Sequence, residues 1–282
     1  MEARFPEDKL ARIRQWLDYF TDRHSARLLD LQSLIGTLQF PCRVVVLGRT
    51  FLQHIINLTW GVKNRCHHIR LNKEGISLSV EWAIFLPWFL GHLFPDLQLY
   101  TDAASTIGFG GFFNGKWLQG RWPVHLLINK TKGITTEWQK LFPIVLACAP
   151  WYLHFYGKRL QFWCNNQRIV AIINSGYSKA PRVMDLVRFL ALISMTHNFL
   201  VRARHVPGVN NEIADALSRF QVQQFRELAP GADQTPCTIP PSFMTLSKMK
   251  SLSMPTGPWC GTPIAHIPLG RSVLFSFVSI TD

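Results

Sequence analysis

Residues 97–122 read LQLYTDAASTIGFGGFFNGKWLQGRW. The texture is three short apolar runs, LQLYTDA, GFGGFF and KWLQGRW, broken by glycine and small polar residues, which predicts a meander of three strands. Downstream, the helical spacing of apolar residues predicts a helix over 136–155. A strand is expected over Arg159–Cys164, helices over Gln167–Ser175 and Pro181–His197, a strand over Phe199–His205 and a closing helix over Asn211–Phe220. The order β-β-β-α-β-α-α-β-α implies an α/β fold in which a mixed sheet is flanked by helices.

Upstream, Leu10, Ile13, Leu17 and Phe20 form one apolar stripe, as do Leu31, Leu34, Ile35 and Leu38. Phe51, Leu52, Ile55 and Ile56 form a third, so residues 1–96 are expected to be a helical segment. Ile76–Phe94 (ISLSVEWAIFLPWFLGHLF) approaches membrane-spanning length but contains Glu81, Pro87, Gly91 and His92, and reads as a buried helix. Beyond Gln221 the chain is rich in Pro, Ser and Thr, and residues 222–282 are expected to form a largely unstructured tail. The expected organisation is therefore 1–96, 97–221 and 222–282.

With 282 residues at 48% hydrophobic content, the chain has material for a sizeable core. Thirty Lys and Arg against seventeen Asp and Glu leave a net charge of +13. Residues 97–221 hold fourteen basic and five acidic residues, so +9 of that excess falls on them. An anionic partner, nucleic acid above all, fits better than a small-molecule substrate. The six cysteines include no C-x-x-C pair, and Cys66-His67-His68 lacks a second half-site, so neither zinc nor a disulfide framework is indicated. The opening MEARFPEDKLARIR lacks a secretory apolar core, which fits an intracellular protein without a membrane partner.

Two motifs carry chemistry. Thr101-Asp102-Ala103 ends the first predicted strand, and His205 to Arg219 reads HVPGVNNEIADALSR. Together they resemble the ribonuclease H domain of retroelement reverse transcriptases. LFPIVLACA (141–149), VAIINSGYSKAPRVMDLVR (170–188) and FRELAPGAD (225–233) look closest to elements of the DIRS type, a retrotransposon class. The resemblance covers about residues 25–243, and residues 25–60 within it resemble the polymerase thumb, although no Asp-Asp polymerase pair occurs in the chain. It implies a ribonuclease H-like mixed sheet preceded by a helical thumb segment. It also implies RNA–DNA hybrid as substrate and two Mg²⁺ ions held by four carboxylates.

Carried over residue by residue, Asp102 and Asp215 match the first and last metal-ligating aspartates, and His205 matches the mobile histidine ten positions before the last. The other two positions depart from the family's pattern. Lys140 stands before Leu141-Phe142-Pro143-Ile144, where a Glu is expected, and Asn165 stands at the strand-end aspartate. The four-carboxylate site of formal charge −4 becomes two carboxylates, an amide and an ammonium of net −1, which cannot hold two divalent ions. Glu137, one turn before Lys140, is the candidate substitute ligand.

Two readings follow from the resemblance. One is a pseudoenzyme that binds hybrid or duplex through Lys158, Arg159, Arg202 and Arg204 after losing hydrolysis. The other is an active Mg²⁺-dependent ribonuclease H using Asp102, Glu137, Asp215 and His205. Trp117, Trp122, Trp138, Trp151 and Trp163 are expected in the core rather than as base-stacking platforms.

Overall fold

The computed structural model describes residues 7–21, 23–43, 48–71, 96–129, 131 and 133–239. The segment 76–94, read as a buried helix, lies outside the described residues, as does the chain from 240 onward. No helix among the described residues is long and apolar enough to cross a membrane.

Three strands follow the glycine punctuation: β3 (Asp96–Ala104), β4 (Gly108–Phe113) and β5 (Lys116–Arg121). They form an antiparallel meander that pairs Asp102 with Gly110 and Phe112 with Trp117. β6 (Arg159–Cys164) runs parallel to β3, and β7 (Leu200–His205) runs parallel to β6. The sheet order is β5-β4-β3-β6-β7. Parallel neighbours need crossovers. These contain α4 (Thr136–Phe155) between β5 and β6, and α5 (Gln167–Ser175) and α6 (Pro181–Thr196) between β6 and β7. The sheet is followed by α7 (Glu212–Ser218) and α8 (Val222–Leu228). From β3 to α7 the order is the expected β-β-β-α-β-α-α-β-α.

Local chemistry sets the boundaries. The Thr135 hydroxyl accepts from the Trp138 amide and caps α4, which continues through Pro143 and Pro150. Leu141, Phe142, Ile144, Val145, Leu146 and Ala147 are fully buried along it, so packing outweighs the hydrogen bonds those prolines cannot donate. Asn166 caps α5 by accepting from the Arg168 and Ile169 amides. Gly176, left-handed at φ 66°, closes the same helix. A Cβ at Gly176 would also lie 2.6 Å from Thr50 Oγ1.

Thr50 belongs to the N-terminal segment, whose helices are α1 (Glu7–Thr21), α2 (Leu28–Gln39) and α3 (Gly48–Leu58). Ile13, Phe20, Leu31, Leu34, Leu38, Phe51, Leu52 and Ile55 from the predicted stripes are buried. Beside these three helices lies a short ladder the sequence reading did not include, β1 (Ser25–Arg27) antiparallel to β2 (His68–Arg70). Three-residue strands carry too little periodicity to be read from sequence.

The boundary expected at Gln221 also moves. Phe225 of α8 is fully buried, packing at ring-centroid distances of 4.9 Å from Trp117 and 6.3 Å from Phe112. The chain then runs along the outer strand: the Asp233 and Cys237 amides donate to the Gly115 and Trp117 carbonyls at 2.9 and 2.8 Å. The Arg226 guanidinium donates to the carbonyls of Ala232, Asp233 and Gln234. Residues 222–239 thus cover an edge that would otherwise present unpaired backbone groups. Phe225→Ala is expected to cost about 3–5 kcal/mol, and truncation after Gln221 at least as much. Urea unfolding followed by near-UV circular dichroism checks both; an unchanged midpoint for the truncated chain would show that the strap adds nothing.

Candidate functional site

The parallel register of β3 and β6 pairs Tyr100 with Trp163. Beyond that pair, Asp102 lies near the C-terminal end of β3, and Asn165 directly follows the C-terminal end of β6, at the same end of the sheet. α4 supplies Lys140 to this end. Its Nζ donates to Asp102 Oδ1 at 2.5 Å, with Asp102 3% and Lys140 16% exposed. An ammonium and a carboxylate so far removed from water depend on each other. Cys164, beside both, has its thiol pushed up to about 11 by burial.

The closing motif approaches from the other side. Asn211 is buried, and its Nδ2 donates to the Thr101 carbonyl at 3.1 Å, tying the start of α7 to β3 next to Asp102. Close packing maintains the approach, since a Cβ on Gly110 would lie 2.4 Å from Leu217 Cβ. Asp215 sits one turn into α7, where Arg219 Nε donates to both carboxylate oxygens at 2.9 Å. Helical i,i+4 spacing already carried that pairing in the sequence, although Arg219 was not singled out. Nor was Asn211, the asparagine of the motif, whose role depends on a strand more than a hundred residues away.

Glu137 is not turned toward Asp102. Arg168 Nη1 donates to Glu137 Oε1 at 2.9 Å, joining the first turn of α4 to the first turn of α5. Its carboxyl is held below the usual range by its own backbone amide and then by Arg168. Nothing in the sequence marked Arg168 as this partner. His205 is exposed at the end of β7, in register with Cys164.

The structure therefore gathers Asp102, Lys140 and Asn165 at one end of the sheet and leaves the predicted basic residues in two places. Arg202 and Arg204 are exposed on β7, on the face opposite buried Ala203. Lys158 and Arg159 lie at the far end of β6, about 16 Å from its site end at about 3.3 Å per residue.

The donor set does not fit a pair of hard cations. Asp102 is engaged by Lys140, Asp215 by Arg219 and Glu137 by Arg168, while Asn165 carries no charge. Among the described residues, no group of three or more His, Cys, Asp or Glu could hold a metal ion. In comparison with known proteins, no family model and no curated sequence matches this chain.

Proposed function

We propose that this chain is a retroelement-derived, ribonuclease H-like nucleic-acid-binding protein that engages RNA–DNA hybrid and has lost hydrolysis. The observation that carries the reading is the ion pair between Lys140 and Asp102. The first-strand aspartate is satisfied by a cation covalently part of the chain, at the position where the resemblance implies a metal-ligating glutamate. An ammonium supplies one positive charge. It has no coordination positions for a scissile phosphate or an attacking water, both of which two-metal hydrolysis needs.

The mixed sheet supports this reading, as does the convergence of the Thr101-Asp102 and His205–Arg219 motifs on it. Binding needs no metal. Residues 97–221 hold fourteen basic residues against five acidic ones, and release of counterions from a polyphosphate is the corresponding driving force. Preference for hybrid over double-stranded DNA is modest, resting on 2′-hydroxyls and groove shape.

The test is fluorescence anisotropy of a labelled hybrid titrated with the full chain without divalent ions. Affinity is expected to fall by about tenfold or more between roughly 50 and 200 mM salt. Affinity that ignores salt, or that appears only on adding Mg²⁺, would sink the proposal.

A further inference from the structure

Side chains alternate across a strand, and on β3, β6 and β7 the alternation separates two kinds of residue. One face of β3, β6 and β7 presents Leu99, Leu160, Phe162 and Ala203, all at most 4% exposed. The other presents rows set by the parallel register: Tyr100, Trp163 and Arg204 in one, and Gln98, Gln161 and Arg202 in the next. Over β4 and β5 this second face is covered, because Leu217 lies on Gly110 and Phe225 on Phe112. Around Trp163 and over β7 the surface differs, although Gln161 between Gln98 and Arg202 is buried. Gln98, Arg202 and Arg204 are exposed, and Tyr100 and Trp163 are half-buried with rings stacked at 6.1 Å and 9°.

Trp163 thus departs from the expectation that it is core, whereas Trp117, Trp122, Trp138 and Trp151 meet it. Its indole N–H is satisfied within the sheet, donating to the Gln98 side-chain oxygen, which also accepts from Gln161 Nε2 at 3.1 Å. A half-exposed indole therefore needs no further polar partner. Neither Arg202 nor Arg204 pairs with a carboxylate among the described residues, and β6 and β7 contain no acidic residue.

We propose that this face is a stacking platform for single-stranded nucleic acid, with bases received on Trp163 and Tyr100 and phosphates held by Arg202 and Arg204. The inference rests on the nucleic-acid reading above and adds the strand class and the surface. Charge and polarity select the occupant. An apolar helix or a second copy of this basic chain would have to bury two guanidinium groups without an acceptor. A single strand brings a phosphate for each guanidinium and a π face for each ring, and stacking is tolerant of base identity. The platform shares its sheet face with Asp102, so a strand lying along β3 and β6 leads to the Asp102–Lys140 end.

The test uses the full chain with labelled oligothymidylate and oligouridylate of about twelve nucleotides, within the range that such sites span, alongside the hybrid. Trp163→Leu is expected to weaken single-strand binding about tenfold, while Trp163→Phe, which keeps an aromatic face, loses much less. Arg202→Glu combined with Arg204→Glu is expected to abolish it. Losses with both oligonucleotides, or with the only one that binds, support the platform, and the ligand bound assigns RNA, DNA or both. Trp163→Leu that binds like the parent chain overturns it. So does a variant that loses thermal stability but no affinity, the result expected if the chain's own apolar 76–94 segment occupies the face. Steeply salt-dependent hybrid binding with single-strand binding indifferent to Trp163 removes the platform alone. Trp163-dependent single-strand binding without hybrid binding removes the hybrid reading alone.

Discussion

The chain as it stands is expected to leave a labelled RNA–DNA hybrid intact in Mg²⁺ and in Mn²⁺, and neither Lys140→Glu nor Asn165→Asp alone should make it a nuclease. The double variant should cleave. Lys140→Glu removes the ammonium from Asp102 and places a second carboxyl beside it, yet position 165 remains an amide. Asn165→Asp adds that carboxylate while the ammonium still neutralises Asp102. Only the two together rebuild four carboxylates, and Arg219 is a weak obstacle because its pair with Asp215 is 48% and 36% exposed. Groups that act as a unit are strongly non-additive, so the double variant should exceed either single change by about a hundredfold or more. Mg²⁺ should also raise the melting temperature of the double variant and leave that of the parent unchanged, since only a folded-state site gains from ligand. Robust cleavage by the unmodified chain, abolished by Glu137→Gln, would show the enzyme reading to be correct and the second ligand to be Glu137.

Replacing Lys140 by Met is expected to destabilise the chain by about 3–5 kcal/mol at neutral pH, because it strands a carboxylate that is 3% exposed. The loss should be specific to the pair. Asp102→Leu in the same chain removes the stranded charge, and the double apolar variant should recover most of the stability, since a buried ion pair is often no better than well-packed apolar groups. Urea unfolding of the four members of the cycle gives the coupling directly. Independent, additive losses would mean that Lys140 and Asp102 do not depend on each other, and would remove the observation on which the loss of hydrolysis rests.

Much of the architecture is local and was legible without coordinates. Glycine spacing marked the three-strand meander, and apolar periodicity marked α4 over Thr136–Phe155, because strand and helix alternation is written at separations of two to four residues. The roles of Asp102 and Asp215, and the departures at Lys140 and Asn165, are what the family resemblance implies for those positions of the motifs. What spacing does not contain is which side chain meets which across the fold. Arg168 takes Glu137 across 31 residues, Gln98 takes the Trp163 indole across 65, and the strap after α8 lies along β5 through Trp117, 116 residues before Asp233. Each contact is made by a rotamer and a register that packing selects, so a polar tail in composition becomes part of a sheet, and a tryptophan assigned to the core stands half-exposed at its surface. The residue types at the candidate site were determined by the sequence by itself; that Lys140 lies on Asp102 and Glu137 turns away to Arg168 was decided by the tertiary structure, because a burial-driven ion pair exists only once α4, β3 and α5 are packed together.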